Sequence, residues 1–158
     1  MATKTATTDA VSTEPGSWKA GVAGGLVGSA VFGLLMTYVI PAPLLEVVIP
    51  SMYGLAPPAA PFTGWIVHMS HGAVLGVAFA AIAGIAPSLG GSVGRSVGAG
   101  AAYGIAVWVA LAVIVMPIWL SAVGSPANPP LPNVSAMSAV GHLVYGAVLG
   151  GAYAGLAD

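Results

Sequence analysis

Four stretches of the chain are long and apolar enough to cross a bilayer, and this constrains its fold more than anything else in it. A hydrocarbon core of about 30 Å takes roughly 20 helical residues to span. The stretches run approximately from Trp18 to Ile40, Gly64 to Ala86, Ser96 to Leu120 and Ser135 to Ala157, and none holds an Asp, Glu or Arg in its interior. In lipid the backbone polar groups must be paired inside the segment, and the period-2 alternation of a membrane barrel is absent. The chain is therefore expected to be all-α, an integral membrane four-helix bundle crossing the cell membrane several times, with the lipid bilayer as its main partner.

Composition excludes several function classes. Of 158 residues, 58% are apolar, three are basic and four are acidic, far from the roughly one-quarter charged content of a soluble domain. So few basic residues leave no footprint for nucleic acid. Cysteine is absent, which removes disulfides, thiolate zinc sites, iron–sulfur clusters and thiol catalysis. There is no Walker A sequence, GxSxG elbow or HExxH motif, and no pair of membrane carboxylates for acid–base work. The expectation is a protein that is not an enzyme.

Residues 1–17, MATKTATTDAVSTEPGS, are polar, Thr-rich and of mixed charge, and read as a disordered tail. The apolar run after them exceeds a signal-peptide core, so an uncleaved span follows, within a single transmembrane domain over residues 18–158. Lys4, Lys19 and Arg95 all precede odd-numbered spans. The positive-inside bias then puts both termini in the cytoplasm and the two longer, proline-rich connections, Pro41 to Thr63 and Pro117 to Val134, outside. The first connection is itself apolar, apart from Glu46, and predicts a short interfacial helix. The second contains the sequon Asn133-Val134-Ser135, which abuts a span and carries little weight.

The halves of the chain repeat each other. Gly72-Ala73-Val74-Leu75-Gly76 recurs as Gly146-Ala147-Val148-Leu149-Gly150, 74 residues later. A shift of 76 places Lys19 on Arg95 and Tyr38-Val39-Ile40-Pro41 on Ile114-Val115-Met116-Pro117. The reading is a duplicated two-helix hairpin, residues of about 18–86 and 95–158, related by a pseudo-twofold axis along the membrane normal. Gly21/Gly25, Gly24/Gly28, Gly72/Gly76, Gly94/Gly98, Gly100/Gly104, Gly146/Gly150 and Gly151/Gly155 are small-xxx-small pairs that let helices approach closely. Faces left over would serve a homo-oligomer or a larger membrane complex.

Three histidines fall inside spans, where an ionisable group is costly and expected to find a partner in the bundle interior. Under the 74-residue shift His68 aligns with His142, and His71 with Tyr145. One reading makes His68 and His142 the axial ligands of a b-type haem, with Gly72 and Gly146 one turn on leaving room for the macrocycle. A second makes His68, His71 and His142 a copper or zinc site, because positions i and i+3 share a helix face, with Glu46 or Tyr145 as a fourth group. A third has the histidines hydrogen-bonding neighbouring carbonyls, Ser70 or Tyr145 as ties between helices. A proton or substrate pathway is the fourth.

Met36, Met52, Met69, Met116 and Met137 fall in the outer half or outer connections, where thioethers would suit Cu(I), although methionine is also an ordinary gap-filler. Glu46 reads most simply as an interfacial carboxylate. Trp18, Trp65, Trp119, Tyr38 and Tyr53 read as interfacial anchors, with Trp108 and Tyr103 packed deeper.

The segments SWKAGVAGGLVGSAVFGLLM, IPSMYGL, GWIVHMSHGAVLGVAFA and GHLVYGAVLG together resemble a family of small four-span membrane proteins common in halophilic archaea, over nearly the whole chain. Members often carry the label histidine kinase, but this sequence has neither an ATP-binding domain nor a phosphoacceptor helix. The family has no established activity, so the resemblance implies a host and a fold rather than a mechanism. The sequence expectation is a membrane protein holding haem or a transition metal through outer-leaflet histidines, as an accessory to a respiratory or metal-handling complex. The alternative is a ligand-free structural or assembly protein.

Overall fold

The computed structural model describes residues 16–40, 43–89 and 92–157. Apart from Gly16 and Ser17, the tail expected over residues 1–17 lies outside them. Four helices are long and apolar enough to cross a membrane: α1 (Trp18–Tyr38), α3 (Pro61–Ile85), α4 (Val93–Ala122) and α5 (Ala136–Leu156). Between the first two lies the short α2, a π-helical turn at Leu44–Val48 continued by Ile49–Ser51. No strand occurs among the described residues.

Each helix starts where its sequence can satisfy the first N–H groups. Ser17, Ser92 and Ser135 accept from the backbone N–H three residues on, each at 3.3 Å, capping α1, α4 and α5. Pro61 opens α3 at a position where its missing N–H costs nothing.

The sequence reading carries the third span to Leu120 yet opens the second connection at Pro117; in the structure α4 runs through Pro117 to Ala122. The ladder widens to a π-helical stretch over Trp108–Val115, and the Met116 N–H reaches back to the Leu111 carbonyl. Pro117 has no N–H to donate. The carbonyls it leaves free are taken by Asn133 from the following connection: its backbone N–H donates to Val113 (3.0 Å) and its side-chain amide to Ala112 (3.2 Å). With its amide nitrogen turned inward, Asn128 also donates to the Pro117 carbonyl (2.9 Å). The second connection therefore begins after Ala122, and the sequon asparagine is a structural donor. Asn133→Ala should lower stability by about 1 to 2 kcal/mol, the cost of stranding one buried carbonyl, read as a fall in the thermal midpoint of the purified protein.

Packing follows the glycines. α1 lies against both α3 and α5, and α5 against α4. In the first pair Gly72 and Gly76 face Gly21, Gly25 and Ser29; in the second Gly146 and Gly150 face Ser96, Gly100 and Gly104. These contacts place Gly21 opposite the same position as Ser96, and Gly25 the same as Gly100, an offset of 75 residues. The sequence shift of 76 instead matched Gly24 and Gly28 to Gly100 and Gly104. In the structure Gly24 and Gly28 face α5, meeting Leu149 and Tyr145, so α1 has glycine rows on two faces and the sequence alignment chose the other one. Gly94, Gly98 and Gly155 meet no described atom within 4 Å and do not join helices within the chain.

Consecutive helices α3 and α4 form no close pair among the described residues. Tyr103 bridges them, its hydroxyl donating to the Leu75 carbonyl (2.8 Å) and its ring 5.5 Å from that of Phe79. The core is an aromatic and aliphatic column that includes Phe32, Met36, Phe79, Tyr145, Leu149 and Tyr153.

Candidate functional site

The sequence singles out three histidines, and the fold gives each a different neighbour. His68, on the α3 face turned to α1, is 8% exposed, and its Nε2–H donates to the Ser29 carbonyl (2.9 Å). Because a carbonyl can only accept, this bond fixes the proton on Nε2 and leaves the lone pair on Nδ1. His142 is half-buried on α5 and turns back on its own helix, its Nδ1–H donating to the Ser138 carbonyl (2.8 Å). His71 points away from both: its Nε2 shares a 2.6 Å hydrogen bond with the Tyr53 hydroxyl in the first connection.

His68 and His142 share one neighbour, Phe32. Its ring stands edge-on to both imidazoles, with centroids 5.6 Å from His68 and 4.9 Å from His142. Gly141 of α5 makes room for it, since a Cβ there would lie 2.6 Å from Phe32 Cδ2 and Cζ. His68 and His142 thus lie in one region of the bundle, with a phenyl ring packed against both.

This arrangement does not fit the haem expectation. The space beside Gly72 is filled by Ser29 and the Gly25 backbone, and that beside Gly146 by Gly100 and Gly104. Both glycines serve helix approach and leave no slot for a macrocycle. His68 has also committed Nε2 to Ser29. The proposed metal set does not assemble either: among the described residues no group of three His, Cys, Asp or Glu side chains is placed to hold a metal ion. The i, i+3 spacing turns His68 inward to Ser29 and His71 outward to Tyr53, while Glu46 is exposed on α2. Two imidazoles on one helix became one core residue and one loop contact.

What the site does contain is a set of bonds between helices that end on backbone carbonyls. Tyr145 donates to Gly72 (3.0 Å) and Ser96 to Gly150 (2.7 Å), alongside His68 to Ser29 and Tyr103 to Leu75. In lipid such bonds hold helices in register. At the end where the two longer connections lie, Trp119 of α4 donates to the Met52 carbonyl (2.8 Å) and the Ser125 hydroxyl of the second connection to that of Ser51 in α2 (3.0 Å).

Sequence reasoning passed over Ser29 and Phe32. Ser29 is fully buried, and its hydroxyl has no hydrogen-bond partner among the described residues; the signal was a polar residue amid the Gly/Ala run of α1. Phe32 had no signal, since a phenylalanine in an apolar span is unremarkable until its neighbours are known. Trp65 was read as an interfacial anchor, whereas its ring packs on Gly33 and lies 6.3 Å from His68. Trp18, Tyr38, Tyr53 and Trp119 are exposed near helix ends, as anchors should be.

No curated protein and no solved structure matches the chain. A family model described as a family of unknown function, DUF6789, matches residues 16–158, from the α1 cap through the end of α5. The chain belongs to that family.

Proposed function

We propose that this is a structural or assembly protein of the membrane, a duplicated helical hairpin in which His68 ties α3 to α1 instead of holding a cofactor. The carrying observation is the His68 Nε2–H bond to Ser29 across α1 and α3, made in a region closed by Phe32 and by glycine-mediated backbone contact. Such a bundle presents lipid and partner proteins with a surface. The unpartnered glycines Gly94 and Gly98 lie on that surface. The cytoplasmic placement of the termini, inferred from Lys4, Lys19 and Arg95, belongs to the same reading.

Absorption spectra and metal analysis of the purified protein test this. The expected preparation has no Soret band and no stoichiometric copper or zinc. His68→Ala should cost about 1 kcal/mol or more in thermal stability, through loss of a tie between α1 and α3. A Soret band, or bound metal, that disappears in His68→Ala would overturn the proposal.

A further inference from the structure

Glu46 is the one acidic side chain among the described residues, and the tie reading gives it no role. Its position is fixed by backbone bonds. The Val47 and Val48 N–H groups donate to the Pro43 carbonyl (2.9 and 3.1 Å), and the Ala60 N–H donates to the carbonyl of Glu46 itself (2.8 Å). Gly64 of α3 lets the Leu45 carbonyl press against that helix, where any Cβ would collide. α2 is thereby anchored beside the end of α1 and the start of α3.

Where these three elements meet there is a cavity of about 120 Å³ whose lining includes Glu46, Thr37, Trp65, Met36, Ile40 and Leu44. The Thr37 hydroxyl spends its proton on the Gly33 carbonyl (2.8 Å), so toward a ligand it can only accept. The polar side chains on the wall, a carboxylate and an accepting hydroxyl, both favour a cation. No basic group of the described residues neutralises Glu46: Lys19 and Arg95 sit in the first turns of α1 and α4, at the opposite end of the bundle. The other side chains on the wall, among them Met36, Ile40, Leu44 and Trp65, are apolar or aromatic. A small divalent ion needs six or more oxygen ligands or retained waters, and the side chains here offer one carboxylate and one hydroxyl. A weakly hydrated organic cation suits this wall, through Coulomb attraction to Glu46 and contact with the indole of Trp65.

We infer that this cavity binds the ammonium group of a small alkylamine or of an amine-bearing lipid headgroup, with Glu46 as counter-ion and Trp65 as the aromatic wall. The inference goes beyond the tie reading and does not depend on it. Titration of the full-length protein in uncharged detergent with tetramethylammonium chloride, followed calorimetrically against sodium chloride, tests it. Saturable binding is expected, weakened about tenfold or more in Glu46→Gln and less in Trp65→Phe, which keeps an aromatic face. Absence of saturable heat, or unchanged affinity in Glu46→Gln, would overturn it. Thermal midpoints of both variants confirm folding, since exposed Glu46 makes no side-chain bond that the fold requires. Repeating the titration in phosphatidylcholine and phosphatidylglycerol nanodiscs separates the sources. Binding lost only in phosphatidylcholine assigns the cavity to a headgroup, and binding equal in both assigns it to a free amine.

Discussion

Gly25→Leu is expected to abolish the folded monomer. A Cβ at that position would lie 3.0 Å from the Gly72 carbonyl carbon, 3.1 Å from the Gly76 Cα, and closer still to the Gly72 oxygen. The obstacle is backbone, which cannot rotate aside as a side-chain tip can. α1 and α3 would have to separate over the turn where Ser29 accepts from His68, losing glycine contacts and the tie together. Overpacking in a well-packed core costs about 1 to 3 kcal/mol when the surroundings can adjust. Here two helices must move apart, and the loss should approach the whole stability of the bundle, of order 5 kcal/mol or more. Size-exclusion chromatography and thermal circular dichroism in detergent read it directly. Gly98→Leu is the matched control: its Cβ would meet nothing within 4 Å, so the change should stay within about 0.5 kcal/mol. Equal damage from both variants would show that side-chain bulk on any face, rather than this contact, is what the protein cannot tolerate.

Phe32→Ala should be the second most damaging change. The ring is 6% exposed, touches both interior histidines and fills the gap that Gly141 leaves in α5. Truncating a buried phenylalanine costs about 3 to 5 kcal/mol, depending on how far the void collapses. Phe32→Leu, which keeps most of the volume, should cost less than about 1.5 kcal/mol. A second readout separates loss of packing from general loosening: with the ring gone, His68 and His142 should react faster with an imidazole-modifying reagent at temperatures where the helix content is unchanged. Unaltered histidine reactivity in Phe32→Ala would mean that the ring does not shield them.

Much of the fold was legible in the chain because lipid leaves few options. An apolar segment of twenty or more residues has to satisfy its backbone internally, so the four long helices and the short helix around Glu46 follow from local pattern. What sustains α4 past Pro117 does not. A proline in an apolar run normally stops a helix, and only a donor brought from Asn133, far along the chain, lets the helix continue past Pro117. Glycine spacing announced close helix approach without saying which face meets which neighbour. Gly21 and Gly25 turned to α3, Gly24 and Gly28 to α5, and Gly94 and Gly98 to neither helix.

The histidines divide in the same way. The sequence singled out His68 and His142, and both lie beside Phe32. Whether they face a cofactor, a metal or a carbonyl depends on side chains from helices distant in sequence: Ser29, Phe32 and the glycines that bring backbones together. By itself, the sequence determined that the chain is helical and how many of its helices are long and apolar enough to cross a membrane, because hydrophobic length is a local property. Only the tertiary structure decided what each polar group bonds to, because in a glycine-packed bundle the partner is a backbone carbonyl on another helix, and its position depends on which faces pack and in what register.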